Sequence, residues 1–173
     1  MGTIRDMAEL QPRVRDMAFD WMERCAKRSL HILVAETRRT MEVSRAYWVN
    51  GRLPFDQVQT YYAAAGLRPL KSNEYKIITK AKPGQSWHIY GCALDFYPMV
   101  NGVVDWNYTP DDPADYWDEI VAEAKAVGFA WGGDWRTFQD RPHIEYHPGW
   151  SHPDEAITWV HEHHDDWRIP LAA

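Results

Sequence analysis

The sequence predicts a single α+β domain in which helices pack against a small antiparallel sheet. Its 173 residues, 45% of them hydrophobic, are enough to bury one good core and favour one domain over two. Segments with helical periodicity alternate with short strand-like segments. These strands are not joined by regular strand–helix–strand units, which a parallel sheet would need. We therefore expect residues 1–173 to form one domain.

Apolar residues at helical spacing, together with capping residues, predict five helices. They are expected from Pro12 to Arg28, from Thr40 to Gly51, from Pro54 to Gly66, from Asp112 to Gly128, and after Pro153. Thr40 suits an N-cap because its side-chain oxygen can accept a hydrogen bond from the first turn. Gly51 can adopt the left-handed conformation that ends a helix. The second helix is therefore expected to begin near Thr40 and to end at Gly51.

Short runs of apolar or alternating residues predict the strands of the sheet. The expected strands are Leu30 to Ala35, Lys76 to Lys82, Cys92 to Tyr97 and His143 to Tyr146, with a loop at Trp131 to Trp135. Within the third strand, Ala93, Asp95 and Tyr97 lie on one face because side chains alternate along a strand. We expect Asp95 to project from this sheet.

Composition and charge exclude several classes of protein. The chain carries 19 basic and 25 acidic side chains, a formal charge of −6, which disfavours nucleic-acid binding. No stretch approaches the roughly 20 apolar residues of a membrane span. Cys25 and Cys92 are too few for a disulfide scaffold or a four-thiolate metal site.

Residues 105–173 hold 15 acidic and 4 basic side chains, which form either a solvated acidic surface or a face for a second cation.

Two short segments bring together residue types that bind metal ions. His88 and Asp95 lie seven positions apart, with Gly91 between them to let the chain turn. Farther along, Asp140 and His143 supply a second carboxylate and a second imidazole. Two histidines and one aspartate leave an open position on a tetrahedral zinc, where a bound water has a pKa near ~7. The remaining carboxylate can then act as a base.

Two blocks of the chain resemble a known family of zinc peptidases. Ser86 to Asp95 follow the pattern Ser-x-His-x-x-Gly-x-Ala-x-Asp, and residues 128–145 contain Gly-Phe-x-Trp-Gly-Gly-Asp-Trp followed by Asp and Pro-His-x-Glu. These blocks are similar to those of the D-alanyl-D-alanine carboxypeptidase and L-alanyl-D-glutamate peptidase family, the second block to its phage endolysin branch. A further likeness covers residues 36–42, where Thr40 replaces the usual serine. Two residues after Glu42, Ser44 stands where relatives usually carry glutamine. The resemblance extends over residues 30–148.

The resemblance implies a fold and a set of roles. The family has the hedgehog/DD-peptidase fold, in which helices pack on a small antiparallel sheet. Carried over by position, His88, Asp95 and His143 become the ligands of one zinc ion per chain. Asp140 becomes the general base, and Arg39 faces the site, where its charge can stabilise an oxyanion or hold a substrate carboxylate.

Some assignments stay open at this point. Glu145 points the same way as His143 on a strand, so it can be the base or can orient a histidine. His147 is an alternative to His143 as a ligand. Ser86 is expected to hydrogen-bond locally, and Trp135 can present a flat apolar wall to a sugar or a peptide stem.

The resemblance also implies a function. The expected protein is a zinc-dependent peptidoglycan endopeptidase, an endolysin that cleaves the L-alanyl-D-glutamate bond of the peptide stem by attack of metal-activated water. The alternatives are a D-alanyl-D-alanine carboxypeptidase or dipeptidase and, from another class, a non-catalytic zinc-containing cell-wall-binding module. The expected partner is the peptidoglycan stem, bound by a monomer that has no separate wall-binding domain. Residues 1–10 carry three charged side chains and no secretory signal, so we expect accumulation in the host cytoplasm and access to the wall after membrane permeabilisation.

Overall fold

The computed structural model describes residues 3–109, 116–163 and 166–172, and it has the α+β architecture that the sequence predicts. The helices are α1 (Pro12–Lys27), α2 (Met41–Val49), α3 (Phe55–Ala64), α4 (Trp117–Ala126) and α5 (Pro153–Glu162). The strands are β1 (His31–Glu36), β2 (Ala93–Val100), β3 (Val103–Val104), β4 (Ala130–Trp131) and β5 (His143–Glu145). Among the described residues, no helix is long and apolar enough to span a bilayer.

The sheet is antiparallel throughout and has the order β1-β2-β5-β4, with β3 paired to β2. Its register sets three polar residues side by side, because Asp95 lies opposite both Glu36 on β1 and His143 on β5. Residues directly opposite one another in an antiparallel pair share a face of the sheet. An irregularity between Val34 and Glu36 brings Glu36 into this row.

The other face of the sheet forms the main core. Leu94 and Phe96 are fully buried, and the Phe96 ring meets Trp21 of α1 at 5.1 Å and Trp117 of α4 at 5.2 Å between centroids. The Trp21 indole donates a hydrogen bond to the Ile120 carbonyl at 3.0 Å, which ties α1 to α4. Because side chains alternate along β2, burying this face leaves the face with Asp95 for a cleft.

A smaller core between α2 and α3 carries the loops beside that cleft. Thr40 caps α2 as predicted, since its hydroxyl accepts a hydrogen bond from the Val43 N–H at 3.3 Å. Gly51 follows the helix with φ +71°, which confirms the predicted left-handed end. Val43, Val58 and Tyr62 are buried between the two helices.

The predicted strand from Lys76 to Lys82 is wrong. The segment is irregular, and its two isoleucines are exposed, Ile77 by 53% and Ile78 by 37%. Side chains of the α2 end, not a neighbouring strand, satisfy its backbone: the Asn50 amide oxygen accepts from the Lys76 N–H at 3.3 Å. Arg52 likewise donates to the carbonyl of residue 79 at 2.8 Å.

Two other predicted segments either differ from the structure or begin outside its described residues. The segment from Trp131 to Trp135 is not simply a loop, because Trp131 belongs to β4 and a 3-10 turn follows it. The predicted helix start at Asp112 lies outside the described residues, and the structure shows this helix from Trp117 onward. The remaining helices and strands agree with their predicted positions within a few residues.

Gly91, which ends the turn that carries His88, is expected to tolerate no side chain. It has φ +65°, and a Cβ there would lie 2.9 Å from the Glu9 carbonyl oxygen and 2.7 Å from the Trp167 ring. Gly102 has the same backbone conformation, φ +77°, but nothing lies within 4 Å of its Cβ position. Gly91→Ala should therefore lower the free energy of unfolding by about 1–3 kcal/mol more than Gly102→Ala. Chemical denaturation of both variants measures the difference, and equal losses would contradict the crowding at Gly91.

Candidate metal centre and active site

The structure brings together three of the predicted metal ligands. His88 lies on a 3-10 turn, Trp87–Tyr90, Asp95 on β2 and His143 on β5. His88 Nε2 is 3.1 Å from Asp95 Oδ1 and 3.1 Å from His143 Nδ1, and His143 Nδ1 is 3.2 Å from the same Asp95 oxygen. These atoms form the one cluster of potential metal ligands among the residues that the structure describes.

Hydrogen bonds on the far side of each imidazole define which nitrogen faces the cluster. His88 Nδ1 is 2.6 Å from the Thr37 carbonyl oxygen, which can only accept, so Nδ1 carries the proton and Nε2 presents a lone pair. His143 Nε2 donates to the Glu145 carboxylate at 2.9 Å, so in the neutral imidazole its Nδ1 also presents a lone pair. With Asp95, the two neutral imidazoles therefore form a set of three converging lone-pair donors. A cation between these donors would offset the repulsion among their lone pairs. Two imidazole nitrogens and one carboxylate oxygen form a ligand set that suits zinc.

The electrostatics of the cluster favour positive charge. Burial lowers the pKa of His143, but hydrogen bonds to Asp95 and Glu145 outweigh it and raise the pKa to about 10. Burial raises the pKa of Asp95, yet His88 and His143 hold it well below its usual value. In the absence of a metal ion, protons would supply the positive charge that these carboxylates attract.

Glu145 lies behind the cluster and joins two histidines. One carboxylate oxygen accepts from His143 and the other lies 3.3 Å from His147 Nε2. His147 donates through Nδ1 to the Trp150 carbonyl at 3.0 Å and stacks on Trp87 at 4.0 Å, outside the donor cluster. Burial raises the pKa of Glu145, but the two histidines lower it to about 2. The geometry thus suits Glu145 to orienting His143 and places His147 as a support for Glu145.

Asp140 lies beside the cluster on the segment that leads into β5. Its carbonyl accepts from the His143 N–H at 3.2 Å, and its N–H donates to the Gly132 carbonyl at 3.1 Å. A Cβ on Gly132 would overlap the Asp140 carbonyl oxygen, so this close approach needs glycine. Among the described residues, no group donates a hydrogen bond to the Asp140 carboxylate. Burial first, and then the charge of Asp95, raise its pKa, which favours its accepting a proton.

Arg39 reaches the same site but is held by a buried partner. Its guanidinium donates to both Glu36 oxygens, at 3.0 and 2.5 Å, and lies 3.9 Å from Asp95. Its Nη1 is 3.5 Å from the Ser86 hydroxyl, and its backbone N–H donates to the His88 carbonyl. Glu36 offsets part of the guanidinium charge and fixes the plane of the guanidinium. Nη1 is therefore the atom of Arg39 that faces the cleft.

A cavity of about 350 Å³ lies over these groups. The predicted residues Ser86, Trp135 and Asp140 line it, and the Trp135 ring lies 5.2 Å from that of His143. Two further side chains, Lys80 and Phe138, meet at its rim, with the Lys80 ammonium 5.1 Å from the ring centroid. Phe138 lies within the motif block of residues 128–145, whereas no motif in the sequence includes Lys80.

Two other residues that fix the geometry of the site were given no role from the sequence. Thr37 contributes a backbone carbonyl, for which no residue type is a signal. Glu36 lies within the motif block of residues 36–42, and its pairing with Arg39 at a spacing of three was a usable signal.

The part of the chain that carries this site is similar to known peptidases. Residues 79–146 match the family model described as D-alanyl-D-alanine carboxypeptidase. The peptidoglycan L-alanyl-D-glutamate endopeptidase CwlK of Bacillus subtilis is 28% identical over 154 residues, which cover 85% of this chain and 81% of that protein. The L-alanyl-D-glutamate peptidase of Listeria phage A118 is 42% identical over 62 residues, 36% of this chain and 21% of the relative.

Solved structures show the same fold. The L-Ala D-Glu endopeptidase ChiX of Serratia marcescens superposes with a TM-score of 0.50 at 20% identity, covering 84% of this chain and 89% of that one. VanYB in complex with D-alanine-D-alanine gives a TM-score of 0.50 at 19% identity, covering 90% and 78%. The region matched by the family model contains His88, Asp95, Asp140 and His143. This chain is therefore similar to D-alanyl-D-alanine carboxypeptidases over residues 79–146 and to L-alanyl-D-glutamate peptidases, and these likenesses indicate a metallopeptidase.

Proposed function

We propose that this metallopeptidase is a peptidoglycan endopeptidase that hydrolyses the L-alanyl-D-glutamate bond of the peptide stem. The observation that carries the proposal is the convergence of three potential metal ligands beside the Asp140 carboxylate, which accepts no hydrogen bond from the described residues, in an open cavity. The choice of bond is supported by CwlK, whose likeness covers most of both chains. The family description alone leaves a D-alanyl-D-alanine carboxypeptidase as the alternative.

His88, Asp95 and His143 would hold one zinc ion per chain. When bound, zinc would act as a Lewis acid that lowers the pKa of water to about 7. Asp140 accepts a proton from the attacking water as its oxygen bonds to the amide carbon. Asp140 then passes that proton to the departing nitrogen as the carbon–nitrogen bond breaks, so the products are a carboxylate and an amine.

The surrounding residues position these groups. The Thr37 carbonyl holds His88, and Glu145 holds His143, in the tautomers that direct a lone pair inward. Arg39, fixed by Glu36, presents Nη1 to the developing oxyanion or to a substrate carboxylate. Trp135 forms an apolar wall for the stem.

We also infer that the protein acts as an endolysin. The local likeness to the peptidases of Listeria phage A118 and of Escherichia phage T5 supports this role. It would act as a monomeric single catalytic domain, reaching the wall from the host cytoplasm after membrane permeabilisation.

Digestion of purified peptidoglycan, followed by mass spectrometry, tests the bond assignment. The expected products carry a new amino group on D-glutamate and leave L-alanine attached to the sugar. Release of free D-alanine alone would favour the carboxypeptidase. Wall binding with no cleavage by the zinc-loaded protein would favour the non-catalytic module. Asp140→Asn is the matched control, because it preserves the size of the side chain and removes the base.

A further inference from the structure

A second cavity of about 350 Å³ meets the catalytic cavity at Asp140, which is the residue that lines both. Its walls include three aromatic rings and two planar polar side chains: Tyr97, Trp106, Tyr108, Gln139 and Arg141. The two cavities therefore lie on either side of Asp140, which forms part of the wall of each. A polymer that crosses Asp140 would occupy both.

The aromatic side of this second cavity is exposed yet held in place. Trp106 is 63% exposed, and its ring packs on Tyr97 at 4.6 Å between centroids. The backbone on either side is fixed, because the Asp105 N–H donates to a β2 carbonyl at 2.9 Å and the Asn107 N–H donates to the Asp105 carboxylate at 3.0 Å. One face of a large aromatic ring is thus presented to solvent from an ordered backbone.

Planar polar groups flank this ring. The Arg141 guanidinium lies 4.8 Å from the centroid of Tyr108 and donates to the Gln139 amide oxygen at 3.2 Å. Flat apolar surface beside amide and guanidinium groups matches a sugar ring, which presents C–H groups on its faces and hydroxyl or acetamido groups at its edge. By contrast, the lining of the catalytic cavity includes two cationic side chains, Lys80 and Arg39.

The proposed substrate carries a sugar on one side of the bond that is cut and carboxylates on the other. In peptidoglycan, L-alanine is the first stem residue and is joined through a lactyl group to an amino sugar. The acyl side of an L-alanyl-D-glutamate bond therefore reaches a sugar within one residue, a span of roughly 3.5 Å plus the lactyl group. The amine side carries the stem carboxylates, which could pair with Lys80 and Arg39 in the catalytic cavity.

We propose that the cavity of Tyr97, Trp106, Tyr108, Gln139 and Arg141 binds the amino sugar that carries the stem, with Trp106 as its stacking surface. This inference rests on the proposed cleavage of the L-alanyl-D-glutamate bond. It makes the enzyme selective for stems still attached to glycan, because a free stem peptide leaves the aromatic cavity unfilled.

Two matched substrates test the proposal: a disaccharide tetrapeptide and the same tetrapeptide with an acetyl group in place of the sugars. Trp106→Ala should raise KM for the first about 10-fold and leave the second unchanged, the size expected for one lost stacking contact. Trp106→Phe should restore part of the loss. Phe19→Ala is the control, since Phe19 is 51% exposed on α1 and lines neither cavity. Equal effects on both substrates, or none on either, would overturn the proposal.

A binding measurement separates this inference from the proposed function. Calorimetric titration of the protein with the disaccharide alone needs no hydrolysis, and binding that Trp106→Ala weakens supports the sugar cavity even if neither stem is cut. Cleavage of both stems by a protein that shows no disaccharide binding, and no preference between them, would preserve the proposed function and reject the sugar cavity.

Discussion

His88→Ala is expected to lose both the metal and the hydrolytic activity. The substitution leaves two of the three converging donors and strips the buried Thr37 carbonyl of its hydrogen bond. Losing a hydrogen-bond partner of a metal-binding histidine already costs about 10–100-fold in affinity, so losing the imidazole itself should cost more than about 100-fold. Elemental analysis of the purified protein should find one zinc in the wild type and none in the variant.

His31→Ala is the matched control, because His31 is an exposed histidine on β1. It should keep its zinc and its activity. Full zinc content in His88→Ala, or wall lysis that survives removal of zinc by a chelator, would reject the proposed metal centre.

Asp140→Asn is expected to lower hydrolysis by about 10²–10⁴-fold while zinc content stays near one. The amide keeps the shape of the carboxylate but cannot accept the proton of the attacking water. Because Asp140 lies outside the three-donor cluster, metal binding should persist. The measurement pairs turnover on a defined muropeptide with metal analysis of the same sample.

Glu145→Gln distinguishes a base from a positioning residue. Glu145 accepts from two histidines and its pKa is lowered to about 2, so the variant should weaken zinc binding before it affects proton transfer. Near-normal turnover in Asp140→Asn with abolished turnover in zinc-loaded Glu145→Gln would reverse the assignment. Loss of zinc in Asp140→Asn would instead make Asp140 a ligand.

Local sequence patterns predicted the chain segments that meet at the site, but not the contacts that fix them. The sequence alone shows the motif spacing of four site residues, which are His88, Asp95, Asp140 and His143. The Thr37 carbonyl that orients His88 comes from 51 residues away, and only the folded sheet brings it there.

The wrong prediction of a strand at residues 76–82 has a related cause. Ile77 and Ile78 give the segment the apolar centre of a strand, but propensity depends on having a partner to pair with. Asn50 and Arg52 satisfy this backbone with side chains, and both residues were read as the end of a helix. The distinction between a strand and a side-chain-supported loop depends on these long-range contacts.

The cross-strand placement of the donors also has a thermodynamic consequence. His88 and His143 are 55 residues apart, and Asp95 meets His143 only when β2 and β5 pair, so the unfolded chain offers no equivalent site. An ion that binds the native state alone stabilises it by an amount that grows with its free concentration, about 4.1 kcal/mol at 1,000 times Kd. Zinc availability would then set the melting temperature and the resistance to proteolysis of this enzyme as well as its activity.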